Sequence, residues 1–226
     1  MLTFGIVIAG IAAVLLAAAF ARINGYGSPQ VKLLSKGLAS LAFVVLGLLC
    51  AAKAGHTAYA VLVAIGLVLG AVGDELLQLM ECRPEKKDGF FLAGLIAFLA
   101  GHVVYIAAFA TAVRTTLWQF GAAALLFAVL FVLQFPAKVQ PGRMKGPVYG
   151  YAAVIAVMAG YAFSCARYGS PALAALAVTG GALFVVSDAV LALMFFSPIR
   201  KKWLPTVNLA TYYVAQILLA FSILAA

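Results

Sequence analysis

Two aspartates, Asp74 and Asp188, stand in stretches of sequence whose other side chains suit a lipid environment. Asp188 is the only acidic residue between position 89 and the C-terminus, inside GGALFVVSDAVLALMFF. An ionisable group at the centre of a membrane helix costs ~2.5–3.5 kcal/mol on insertion scales, so it normally faces the bundle interior and has a task there. Asp74 ends AIGLVLGAVGDELLQLM, where Gly66, Gly70 and Gly73 recur at steps of four and three. That spacing makes one small-residue face for close helix packing, and it turns Asp74 inward with it. Glu75, rotated by about 100°, is expected to reach the membrane surface instead. Glu81, Glu85 and Asp88 lie in the loop sequence ECRPEKKDG, where a solvated role is sufficient.

Other polar side chains occur at overlapping depths. With a rise of 1.5 Å per residue, Asp74 lies ~10 Å inside Glu81 and Asp188 ~14 Å inside Ser197, with Ser187 beside it. His102 and Tyr105, three apart in GLIAFLAGHVVYIAAF, share a helix face. Asn208, Tyr212 and Gln216 follow one another at steps of four. Each has a plain structural reading: a satisfied core histidine, a core aromatic, a glutamine joining two helices. Together they point four helices at one interior. Two carboxyl groups sharing a pocket of low dielectric constant cannot both ionise cheaply, so one is expected to hold a proton near neutrality. Placed close enough to exchange that proton, they supply a general acid and a general base. Hydrolysis limited by protonation of the substrate suits such a pair, as does proton-coupled transport.

The elements that hold these residues follow from composition. Of 226 residues, 66% are hydrophobic and 9% charged, with a mean hydropathy of +1.15. A soluble domain is nearer ~45–50% apolar and ~25% charged, so a water-soluble globule and a disordered chain are excluded. The apolar runs are continuous rather than alternating, which favours helices over barrel strands. They predict an all-α polytopic transmembrane bundle of about eight helices, roughly 2–21, 34–52, 57–80, 89–113, 115–135, 147–166, 171–196 and 204–226. The chain is read as one integral membrane domain, 1–226. The first run, with no basic residue before it and Arg22 after it, reads as a retained helix rather than a signal peptide.

The net charge of +9 does not mark a nucleic-acid binder, because the fifteen Lys and Arg punctuate apolar runs. Twelve of them fall in the first, third, fifth and seventh loops, and the other three are Lys53, Arg114 and Arg167. This bias predicts odd loops in the cytoplasm and both termini on the non-cytoplasmic side. Cys50, Cys82 and Cys165 show no ligand or disulfide spacing, and two histidines cannot build a histidine-rich metal centre. No metal or organic cofactor is expected.

The succession Gly73-Asp74, then Gly94, Phe98 and His102-Val-Val-Tyr105, then Gly181 to Asp188, then Thr211-Tyr212-Tyr213-Val-Ala-Gln216 resembles the YhhN family of multi-pass membrane proteins, which includes lysoplasmalogenases. The likeness runs from about Lys36 to Gln216. Many members have Lys-Pro where this chain has Lys36-Gly37. The resemblance implies hydrolysis of the vinyl ether of a lysoplasmalogen, a lysophospholipid, to a fatty aldehyde and glycerophosphoethanolamine or glycerophosphocholine. It implies catalytic roles for Asp74 and Asp188 and orienting roles for His102, Tyr105, Ser187, Tyr212 and Gln216, with Lys36 meeting the phosphate. Such a protein resides in the inner membrane of a bacterium or an endomembrane of a eukaryote, among membrane lipids.

Two other functions use intramembrane aspartates. A proton-coupled transporter is the alternative to a hydrolase, although no inverted repeat or matching pair of broken helices is evident. An intramembrane aspartyl protease would need Gly where Ala71 stands.

Overall fold

The computed structural model describes residues 1–226 and contains eight α-helices: α1 (Leu2–Ile23), α2 (Pro29–Lys53), α3 (Ala58–Cys82), α4 (Lys87–Ala112), α5 (Leu117–Leu133), α6 (Lys145–Tyr168), α7 (Pro171–Phe196) and α8 (Leu204–Ser222). There are no strands. Local chemistry sets the helix starts. Ser28, Thr57 and Ser170 cap α2, α3 and α7 by accepting a backbone N–H three residues on, and Pro29 and Pro171 occupy the first helical positions of α2 and α7. At α5, the Gln119 side chain accepts from the backbone N–H of Thr116 at 2.8 Å.

Seven helices are long and apolar enough to cross a membrane. The eighth, α5, has 17 residues, or about 26 Å, at the short end of spanning lengths. It runs antiparallel alongside α6. Its N-terminal end meets the C-terminal end of α6 through Tyr161 and Thr115 (3.2 Å), and its C-terminal end meets the start of α6 through Tyr149 and Gln134 (2.8 Å). The sequence places the end of α5 at 135, but residues 134–138 turn instead.

The odd-numbered loops gather at one end of the molecule. Lys32 pairs with Glu81 at 3.0 Å, and the Gln140 N–H donates to the Phe196 carbonyl at 2.8 Å. The opposite end joins Lys53 to Thr3 (3.0 Å) and Ser170 to the Ala225 carbonyl (2.8 Å). Most of the basic residues therefore share one end, as their spacing in the sequence requires.

Helix α8 packs against α1, α2, α3 and α7, while α4 joins α3 to α6. Helix α5 packs extensively on α6 alone. The glycine face of α3 accommodates side chains rather than backbone. A Cβ at Gly66 would strike the Tyr105 ring, one at Gly70 the Gln216 amide, and one at Gly73 the Phe98 ring.

Candidate active site

Asp74 is buried, with 3% of its surface exposed, and both of its oxygens have partners. Oδ2 accepts from Ser40 Oγ at 2.6 Å and from Tyr212 OH at 2.8 Å. Oδ1 lies 3.3 Å from the ammonium of Lys36, itself buried. Behind Tyr212 the chain of hydrogen bonds continues. Gln216 Nε2 donates to Tyr212 OH at 3.0 Å, and Tyr105 OH donates to Gln216 Oε1 at 2.7 Å. Gly70 makes room for this network, because a β-carbon there would displace both Gln216 and Tyr212.

Asp188 has a separate set of partners. Its Oδ2 accepts from Tyr151 OH at 2.6 Å and lies 3.2 Å from His102 Nε2, which in turn is 2.8 Å from Tyr151 OH. His102 Nδ1 is buried without a partner, so the assignment that satisfies the triangle puts the ring proton on Nε2. Asp188 Oδ1 makes no hydrogen bond to the protein, and the side chain is 12% exposed.

The two carboxyl groups line one cavity of about 150 Å³ together with Lys36, Gln78, Asn208 and Tyr212. They share the pocket that the sequence suggests but form no hydrogen bond with each other. The reason is topological: α3 and α7 do not pack closely on each other, and α8 stands against both. Periodicity gives a residue's face and depth but not the lateral gap between two helices.

Lys36 also differs from its expected setting. Because α2 starts at Pro29 rather than near 34, Lys36 lies two turns inside the helix and its charge is matched by Asp74. One salt bridge leaves N–H groups of the ammonium available to the cavity. Ser187 is committed to the α7–α8 contact: its Oγ donates to the Asn208 carbonyl at 3.2 Å, and Asn208 Nδ2 donates back to the Ser187 carbonyl at 2.9 Å. Glu75 is half-buried and packs on Gly37, with Oε1 left unpartnered.

Three residues of the site escaped the sequence reading. Ser40 follows Lys36 by four and Gln78 follows Asp74 by four, so helical spacing from a known polar residue was the available signal. Gln78 Nε2 is buried with no partner and its side chain lines the cavity, which presents a free donor to whatever fills it. Tyr151 carried no such signal, because the residues three and four away on α6, Pro147, Val148, Val154 and Ile155, bear no polar group. No group of three His, Cys, Asp or Glu side chains is placed to hold a metal ion.

The site thus combines a carboxyl with one free oxygen, a carboxylate fixed beside a lysine, and spare donors. The YhhN family model matches residues 31–223. Similar proteins include Lysoplasmalogenase TMEM86A of Homo sapiens, 32% identical over 165 residues, and that of Bos taurus, 31% identical over 167. Each match covers 70% of this chain and 63% of the relative, so the chain spans just under two thirds of the length of those proteins. No solved structure matches the chain.

Proposed function

Since the chain belongs to the YhhN family, we propose that it is a lysoplasmalogenase-type membrane hydrolase that opens the vinyl ether of a lysoplasmalogen. The relatives' names support the reaction class, and Asp188, with Oδ1 unbonded and its side chain lining a cavity shared with Asp74, is the observation that carries the mechanism.

Asp188, protonated on Oδ1, donates to the β-carbon of the vinyl ether. Electrons of the C=C bond form the new C–H bond, and the ether oxygen shares the resulting positive charge as an oxocarbenium ion. Tyr151 and His102 hold the carboxyl through Oδ2, so the other oxygen keeps its aim during this step. Asp74 supplies fixed negative charge on the same cavity as the cation develops. Water adds to the cationic carbon and returns its proton to Asp188, leaving a hemiacetal. Collapse of the hemiacetal moves its hydroxyl proton to the departing glycerol oxygen and releases the fatty aldehyde. One water is consumed and Asp188 ends as it began.

Lys36 and Gln78 present unused N–H donors to the phosphate and glycerol oxygens. Tyr212, Gln216 and Tyr105 keep Asp74 in position, and Ser187 holds α7 on α8. Purified Asp188→Asn and Asp74→Asn proteins, folded as the unmodified protein is, are expected to release aldehyde about 10²–10⁴-fold more slowly. Release at the unmodified rate by both variants overturns the assignment.

A further inference from the structure

Asp188 lines a second cavity besides the polar one. With Tyr151 it forms part of the wall of an apolar space of about 260 Å³ between α5, α6 and α7. Apart from Gln134 and Asp188 the lining is hydrophobic, with Leu130, Ala152, Ile155 and Val185 among the walls. Because α5 packs extensively only on α6, no close helix contact seals its side toward α7. The polar cavity, by contrast, carries Lys36, Asp74 and Gln78.

We infer that the α5–α6–α7 cavity seats the hydrocarbon chain of the substrate, with the chain's vinyl ether end at Asp188 and its phosphate end in the cavity of Lys36. The inference rests on the hydrolase reading above and adds where the apolar half of the lipid lies. A lysoplasmalogen has its scissile bond at the boundary between an apolar chain and a polar head group. Asp188 stands at the corresponding boundary in the protein, shared by an apolar and a polar cavity. Tyr151 links the two functions, since its ring lines the apolar cavity while its hydroxyl donates to Asp188. A smaller apolar cavity of about 50 Å³, between Phe91, Leu95 and Phe195, also reaches Asp188. Its volume suits the chain less well, and it provides the competing location.

The test has two arms. The first compares aldehyde release from short-chain and long-chain lysoplasmalogens by the unmodified protein and by Leu130→Trp and Ala152→Phe, which fill the larger cavity. Losing the burial of about two methylenes lowers kcat/KM for the long chain by about tenfold relative to that for the short chain. Unchanged chain-length preference in folded variants overturns the inference. If the unmodified protein cleaves no vinyl ether at all, it is the hydrolase reading that fails. The second arm photolabels the unmodified protein with an alkyl-ether lysolipid bearing a diazirine at the chain terminus, and it decides the matter if the variants do not fold. Labels on α5, α6 and α7 around Leu130, Ala152 and Val185 support the inference. Labels on α4 around Phe91 and Leu95, or labels spread evenly over the lipid-facing surface as by bulk bilayer lipid, overturn it.

Discussion

At the level of single residues, the two aspartates differ in what they are free to do. Asp74 has both oxygens engaged, by Lys36, Ser40 and Tyr212, while Asp188 keeps one oxygen open. On the proposed hydrolase reading, carboxyls that look equivalent in the sequence divide into a fixed charge and a proton carrier. The Lys36–Asp74 pair is buried, and removing one partner leaves an uncompensated charge. Lys36→Met is expected to destabilise the protein by about 3–5 kcal/mol. Adding Asp74→Asn to it should recover much of that loss while aldehyde release stays low. Thermal unfolding in detergent alongside the activity assay checks both halves. Tyr151→Phe removes the hydroxyl donor to Asp188 but leaves His102 in place, so it slows turnover without abolishing it, and a kcat effect larger than any KM effect identifies positioning rather than binding. Asp74, Asp188, His102, Tyr105, Tyr212 and Gln216 were legible because polar types in apolar runs are conspicuous. Tyr151 was not, since unlike Tyr105 and Tyr212 it has no polar neighbour at helical spacing, and only the approach of α6 to α7 gives it Asp188 as a partner.

At the level of helices, the glycines of α3 determine how closely α4 and α8 approach. A methyl group at Gly70 displaces the Gln216 amide and the Tyr212 hydroxyl, whereas Gly121 on α5 faces open space. Gly70→Ala is thus expected to cost about 1–3 kcal/mol by overpacking and to lower activity by loosening the support of Asp74. Gly121→Ala should be neutral or stabilising by about 0.5–1 kcal/mol. The same unfolding measurement separates them. The steps of four and three in the sequence already pointed to a small-residue face, but not to what fills it. Helix boundaries were legible to within a few residues wherever Pro, Gly or charge marks them. The exception that matters is the start of α2, where Ser28 and Pro29 begin the helix early and carry Lys36 inside.

At the level of the whole molecule, the bundle has a basic end and an opposite end, and the polar cavity opens toward the former, with Asn24, Glu81 and Pro205 at its rim. The charge bias predicts that this end faces the cytoplasm. Single cysteines at Lys202 and Arg114, in a background lacking the native ones, should react with a membrane-impermeant maleimide from opposite sides, Lys202→Cys from the cytoplasm. The reverse pattern would place the head-group cavity on the other face of the membrane. Alternation of basic loops made the number of helices legible, because one helix too many or too few disrupts it. Where the helices stand around one another was hidden, since every helix is apolar on several sides and lipid and protein neighbours demand similar side chains. That ambiguity explains why the sequence suggested a pocket shared by the two carboxyls but not that α8 stands against the helices that carry them.

The most direct test of vinyl ether hydrolysis by Asp188 is mass spectrometry of the aldehyde released in deuterated water, trapped at once by reduction. Vinyl-ether, alkyl-ether and acyl lysolipids would be compared as substrates. Protonation at carbon predicts aldehyde from the vinyl ether alone, carrying one solvent deuterium on the carbon next to the carbonyl, and none from Asp188→Asn beyond background. Cleavage of the acyl substrate instead, or an aldehyde free of deuterium, would contradict it.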